Sequence, residues 1–172
     1  PLVEEQAEIA HRAMAGSLLR TESALGLMAR MADDHQKARR HLARALHLAT
    51  LVDDVGSECK AMRRLGMLAL QSEDYPRALN LCSTAANQPT VHDADAVPSM
   101  VLAAIASSLT GDASTAETWV NNASSHLMAD PSMGSTLLER VGKALLAIDR
   151  PELAIELFDE AMECAMMAGD ED

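Results

Sequence analysis

The side chains best suited to catalysis or metal binding in this sequence are six histidines, three cysteines and 26 carboxylates. The histidines show no metal-ligand spacing, and His41 and His47, six residues apart, lie off a common helix face. His92 with Asp93 and Asp95 reads more simply as a helix-capping loop than as an ion site. We find no glycine-rich phosphate loop and no pair of carboxylates in an apolar stretch. The sequence therefore predicts a non-catalytic chain without a metal or a cofactor.

Composition and charge restrict the class of protein and its partners. Apolar residues make up 48% of the 172 residues, yet only three are aromatic, which favours closely packed helices in a single domain. The net charge of −12 argues against binding to nucleic acid or to an anionic membrane. There is no long apolar run, so we expect no membrane insertion.

Three cysteines without paired spacing predict buried reduced thiols and a cytoplasmic location. Because the chain begins with Pro1, we expect a fragment or a processed product.

Helix-forming stretches alternate with short turns along the chain. The predicted helices cover 3–15, 18–31, 35–51, 58–71, 76–86, 98–109, 114–128, 135–148 and 151–167. Gly16-Ser17 is interpreted as a break or kink, and Asp33-Asp34 as a cap for the helix that follows. Pro76 and Pro98 are expected in the first turns of their helices. Residues 87–97 form the longest predicted unstructured tract, and residues 169–172 an acidic tail.

Small residues recur at a fixed period through these helices. The small-residue positions, which we call slots, are occupied by Gly26, Gly66, Ala104 and Gly142. Ala38, Ala78, Ala116 and Ala154 follow twelve residues later, and Leu42, Cys82, Val120 and Phe158 sixteen later. Ala45, Ala85, Ala123 and Ala161 follow nineteen later. A small residue on each helix lets two helix axes approach, and the larger residue fills the adjoining space. The pattern predicts stacked helical hairpins with a period of about 38 to 40 residues.

These residues resemble the tetratricopeptide repeat (TPR). The motifs that carry the resemblance are Leu25-Gly26, Leu65-Gly66, Val141-Gly142, the inter-helix turn at 74–78, and the aromatic Phe158. The resemblance implies an all-α, right-handed superhelix of about four hairpins plus an N-terminal helix at 3–15, in one domain covering 1–172. The repeats would span 18–52, 58–90, 96–129 and 134–168.

Three features depart from the TPR pattern. The period exceeds the usual 34 residues, as in long-period variants. The third repeat has Ala103-Ala104 and Ser107 in place of the consensus, and the tryptophan near the start of the first helix is absent. The Lys and Asn positions of the chaperone-binding members are occupied by residues such as Ser23 and Leu27, so we do not expect a carboxylate clamp of that type.

In this family the first helix of each repeat lines a concave groove, and helical geometry then selects the residues that face it. The inward stripe contains 24 positions, with seven of the chain's 14 basic residues and only one acid, Glu139. The predicted partner-binding residues are Arg20, Leu27, Arg30, Lys60, Arg63, Arg64, Met67, Val101, Leu102, Ile105, Arg140 and Lys143. The alternative is that these cations only solvate helix surfaces or pair with neighbouring acids.

A basic and apolar groove suits an acidic, amphipathic peptide or helix of another protein. We therefore predict a protein-interaction scaffold or adaptor. Two alternatives stay open: the effector-sensing region of a larger regulator, and a secretion-type chaperone. The sequence does not indicate the oligomeric state.

Overall fold

The chain forms α-helical hairpins. A computed structural model describes residues 2–88 and 93–129, and no strand occurs among them. The helices are α1 (Leu2–Met31), α2 (His35–Leu51), α3 (Val55–Gln71), α4 (Tyr75–Ala86), α5 (Asp93–Leu109) and α6 (Ala113–Ala129). The prediction of an all-α chain is confirmed for these residues. The predicted fourth repeat at 134–168, with Arg140 and Lys143, and the predicted tail at 169–172 lie outside them.

Each helix packs against the next one in the chain, and α3 also contacts α5. The pairs α1–α2, α3–α4 and α5–α6 are therefore three consecutive hairpins, with α2 and α4 linking each hairpin to the next. A single hairpin of this length cannot bury its apolar side alone, and contact with its neighbours completes the core.

The residues of the small-residue pattern form the core of each of the three described hairpins. A Cβ added at Gly26 would lie 2.8 Å from Leu42 Cγ, and one added at Gly66 would overlap Cys82 Sγ. Ala104 and Val120 are buried at the equivalent positions of α5 and α6. The alanines that follow the slots by twelve and nineteen residues are all 0% exposed in the three described hairpins: Ala38, Ala45, Ala78, Ala85, Ala116 and Ala123. Close contact between helix axes explains why only small residues fit there.

The same type of turn follows α1, α2, α3 and α5. Asp33, Asp53 and Glu73 have φ between 56° and 60°, and Gly111 has φ 83°. In the first turn the N–H of Asp33 donates to the carbonyl of Arg30, and the N–H of Asp34 donates to the carbonyl of Ala29. These two bonds satisfy the last carbonyls of α1 in a Schellman motif. The same bonds recur at the ends of α2, α3 and α5.

The residue that closes each Schellman motif also caps the next helix. Asp34 Oδ1 accepts from the N–H of Lys37 at 3.0 Å, and Asp54 Oδ1 accepts from the N–H of Ser57 at 2.9 Å. Equivalent caps occur twenty residues after Asp54, at Asp74, and again at Asp112. One aspartate therefore ends one helix and begins the next, which keeps the links short. The predicted cap at 33–34 is confirmed at Asp34.

Two predictions about helix continuity were wrong. Gly16 and Ser17 do not break the first segment, because α1 runs without interruption from Leu2 to Met31. A glycine inside a helix costs about 0.5–1 kcal/mol of stability. Ending the helix there and starting a new one without a cap would cost more, because the backbone groups at both new ends would lose their hydrogen bonds. Pro98 does not open its helix either, because α5 begins at Asp93. The added turn buries Ala96 and Val97, which are 4% and 0% exposed.

The remaining helix ends lie close to the predicted ones. The bounds of α2 are those predicted, whereas α3 begins at Val55 rather than at residue 58 because Asp54 caps it. Helices α4 and α6 each begin one residue earlier than predicted. Trp119, the only tryptophan of the chain, is half-buried on α6.

Candidate partner-binding face

The outward side of α3 carries the largest set of predicted contact residues. Lys60 is exposed, and Arg63, Arg64 and Met67 are half-buried. We call these four residues the basic strip. The opposite side of the helix holds the buried residues Cys59, Met62, Leu65, Gly66 and Ala69. Packing against α2, α4 and α5 therefore leaves this cationic side of α3 at the surface.

Two predicted contact residues on α5 are also accessible. Leu102 and Ile105 are half-buried, whereas Val101 is 8% exposed and contributes mainly to the core. The accessible apolar residues of α5 therefore lie on a helix that contacts α3. Leu109, at the end of α5, is 51% exposed.

The predicted residues on α1 include a cation with an unusual environment. Arg20 is exposed, and Leu27 and Arg30 are half-buried. The Nε atom of Arg30 is buried and has no hydrogen-bond partner. A buried guanidinium nitrogen without an acceptor is uncommon in a folded protein, because leaving it unpaired costs about 1–3 kcal/mol.

The buried thiol near the basic strip is not a nucleophile. Burial raises the pKa of Cys82 to about 12, and the nearby charge of Arg63 opposes that rise only in part. Since the thiolate is the reactive form, Cys82 is inert near neutral pH. Within residues 2–88 and 93–129, no three histidine, cysteine or acidic side chains are grouped so as to hold a metal ion.

A second basic surface on α2 was not assigned from the sequence. Helix α2 contains four Lys and Arg residues and three histidines but no acid. The four cations are exposed: Lys37, Arg39, Arg40 and Arg44. Lys37 and Arg44 lie near carboxylates, Asp34 at 3.7 Å and Glu22 at 3.6 Å. Arg39 and Arg40 instead have the neutral neighbours Ser72 and Gln36, each at 3.4 Å. The absence of acidic residues between positions 35 and 51 would have indicated this surface from the sequence alone.

One buried carboxylate joins α1 to α2. Glu22 is 7% exposed, and its Oε2 lies 2.6 Å from His41 Nδ1. Its Oε1 lies 3.6 Å from Arg44 Nη1. Beside it a shallow pocket of about 410 Å³ opens between the two helices, lined by Leu18, Glu22, Ala43, Arg44, His47 and Leu48. The contacts of Glu22 with His41 and Arg44 hold α2 against α1 at the edge of this pocket.

Comparison with known proteins does not assign a family. No protein-family model matches the chain, and no curated protein matches it. Among the helices that the structure describes, none has the length and apolar character needed to cross a bilayer.

Proposed function

We propose that this chain is a non-catalytic TPR-like scaffold, with its hairpins stacked in a right-handed superhelix, that binds an acidic, amphipathic helix of a partner protein. The observation that carries the proposal is the outward side of α3, where three cations share the surface with Met67. The protein as a whole has a net charge of −12, so this concentration of positive charge is local. A cytoplasmic location suits such an adaptor.

Apolar contacts would supply most of the affinity. Met67, Leu102 and Ile105 keep part of their surface accessible on two contacting helices. Methionine adapts to irregular partner surfaces because its side chain is flexible and polarisable. Leucine or isoleucine residues on one side of a partner helix fit this apolar surface, in the manner of a helix bound in a groove.

The cations would select the partner. Lys60, Arg63 and Arg64 lie on the same side of α3 as Met67, where they would pair with carboxylates at the edges of a bound helix. Exposed ion pairs contribute only about 0–1 kcal/mol each, so these residues set the association rate and the specificity rather than most of the affinity. A basic amphipathic helix would be rejected by like-charge repulsion.

Charge reversal on α3 tests this proposal. The probe is a fluorescein-labelled peptide with leucines on one helical side and glutamates on the other, titrated with the full chain. We expect Arg63→Glu with Arg64→Glu to weaken binding at least tenfold and to reduce its dependence on salt. The matched control is Arg39→Glu with Arg40→Glu, which makes the same charge change on α2.

The control separates a specific site from a net-charge effect. If both double variants lose the same affinity, the peptide responds to overall charge and the proposed site is wrong. If the wild-type chain fails to bind the peptide at hundreds of micromolar, the proposed partner class is wrong. The circular dichroism of each variant establishes that it is folded.

A further inference from the structure

Equivalent positions of the three hairpins differ in exposure on one side of the stack. The positions one residue before and two residues after each slot are buried in α3 and α5 but not in α1. In α3, Leu65 and Leu68 are 5% and 2% exposed, and in α5 both Ala103 and Ala106 are 0% exposed. In α1, by contrast, Leu25 is 39% exposed and Met28 is 65% exposed. In α3 they pack with Leu42 of α2, and in α5 Ala106 packs with Ala78 of α4. The preceding hairpin therefore covers these positions, except in α1.

The uncovered positions continue along α1. Met14 is 66% exposed and Leu18 is 49% exposed. Successive separations of four, seven and three residues place Met14, Leu18, Leu25 and Met28 on one side of the helix. We call these four residues the end face. Leu18 shares the 410 Å³ pocket with Glu22 and with Arg44 of α2, a helix that carries four Lys and Arg residues and no acid.

The chain itself contains a segment with the complementary chemistry. Residues 151–172 include eight acids and no Lys or Arg. Residues 12–72 contain ten basic and six acidic residues, whereas residues 93–172 contain three basic and fifteen acidic ones. Residues 12–72 therefore carry a net charge of +4 and residues 93–172 a net charge of −12, while residues 1–11 contain three acids and no Lys or Arg. Opposite charge on two surfaces favours their association and directs which ends meet.

The repeat register gives this segment the apolar residues that such a contact needs. Leu46, twenty residues after its slot, packs against the cluster that contains Leu65 and Leu68. Leu79, thirteen residues after its slot, packs against the cluster that contains Ala106. Counted from Gly142, the same two offsets fall on Met162 and Ile155. Met162 and Ile155 are thus apolar residues at the two offsets of which α2 uses one and α4 the other to cover the next hairpin.

We propose that the end face binds residues 151–167 of a second copy of this chain, so that copies associate head to tail. The contact would extend between molecules the packing that joins α2 to α3 within one molecule. It uses two different surfaces, so it is a heterologous interface that can add further copies. This inference does not depend on the proposed partner site, because none of the end-face residues belongs to the basic strip.

Sedimentation velocity of the full chain over a range of concentrations tests the proposal. We expect the wild type to associate with rising concentration, and more weakly at 500 mM than at 50 mM NaCl, because salt screens the charges. Met28→Glu should weaken association at least tenfold. The matched control is Ile9→Glu, because Ile9 is 62% exposed on the same helix but on the opposite side from the end face. The control should associate as the wild type does.

Mixing two impaired variants tests the head-to-tail geometry. The first is Met28→Glu, and the second is Ile155→Lys with Met162→Lys, each checked for folding by circular dichroism. Each should be monomeric alone, and together they should form a 1:1 dimer that does not grow, because one intact end of each remains. A wild type that stays monomeric at hundreds of micromolar would overturn the proposal. So would association of Met28→Glu at wild-type strength, or a mixture that stays monomeric.

Discussion

At the residue scale, the approach of α3 to α4 depends on the missing side chain of Gly66. A Cβ at this position would overlap Cys82 Sγ, and the carbonyl oxygen of Ala78 would lie 3.5 Å away. By contrast, Gly16 has no atom within 4 Å of an added Cβ. Two glycines inside helices therefore have opposite roles, because one is required by packing and the other only weakens its helix.

Alanine substitution at the two glycines should have opposite signs. Gly66→Ala should lower the free energy of unfolding by about 1–3 kcal/mol, because overpacking a core has that cost. Gly16→Ala should raise it by about 0.5–1 kcal/mol through helix propensity. Urea denaturation followed by circular dichroism measures both. Equal effects of the two substitutions would contradict the close contact at Gly66.

A second variant assigns the cost of Gly66→Ala to Cys82. In the background of Cys82→Ala the thiol is absent, so the added methyl at position 66 has room. We expect Gly66→Ala to cost at least 1 kcal/mol less in that background, which is the coupling between two residues in contact. Additive free energies of unfolding in the double-mutant cycle would show that the overlap does not determine the cost.

The pKa of Asp54 makes one helix cap sensitive to acid. The backbone N–H and then the hydroxyl of Ser57 hydrogen-bond its carboxylate and hold the pKa of Asp54 below its ordinary value. Because the folded-state pKa is lowered, the stabilisation is present above the unfolded value near 3.9 and is lost as pH falls through the folded value.

We expect Asp54→Ala to lower the free energy of unfolding by about 1 kcal/mol at pH 7, the usual cost of losing an N-cap. The difference from wild type should shrink as pH falls from 4 to 2. Asp54→Asn, which caps without a charge, is the control and should lose less at pH 7. Urea midpoints at pH 7, 4 and 2 measure the effect, and a constant difference between wild type and Asp54→Ala would refute it.

At the scale of elements, the turns show how the helices are kept in register. The turns after α1, α2, α3 and α5 each place one residue in the left-handed region and follow it with a capping aspartate, and of these four the turn after α5 uses glycine there. Asp tolerates this backbone conformation better than Glu does, because its shorter side chain can hydrogen-bond locally. Glu73 is therefore the least suited residue at this turn position.

Glycine at position 73 should stabilise the protein. We expect Glu73→Gly to raise the free energy of unfolding by about 0.5–1 kcal/mol, because glycine adopts φ near 60° without steric cost. The reciprocal change, Gly111→Ala, should lower it by about 1 kcal/mol. Thermal unfolding of both variants measures these shifts. A destabilised Glu73→Gly variant would show that the Glu73 side chain makes a contribution larger than its backbone strain.

The helices themselves were largely predictable from the sequence, because amphipathic spacing and capping residues act locally. The bounds of α2 follow from Asp34 and from the periodicity of its apolar residues. The continuity of α1 through Gly16 and the position of Pro98 inside α5 were not predictable in this way. Both depend on burial elsewhere along the helix, which local propensity does not report.

At the scale of the whole molecule, we predicted from the sequence which side of α3 is accessible. We did not predict the two other accessible surfaces, the basic surface of α2 and the end face of α1. The slot pattern fixes the buried side of each first helix, and the cations of the basic strip follow from it. The basic surface of α2 was open to prediction from its acid-free sequence, whereas the end face of α1 depends on which hairpin has a neighbour. That information lies in the stacking of hairpins, and repeat periodicity alone treats all hairpins as equivalent.

Because Trp119 is the only tryptophan and lies on α6, it gives the protein an optical reporter confined to its third hairpin. In stacked repeats each unit contacts mainly its neighbours, so units can lose structure at different denaturant concentrations. Tryptophan emission should therefore follow one hairpin, while far-ultraviolet ellipticity sums over all helices. We expect Gly66→Ala to shift the ellipticity midpoint more than the emission midpoint. Superimposable curves would instead reveal a chain that melts as one cooperative block.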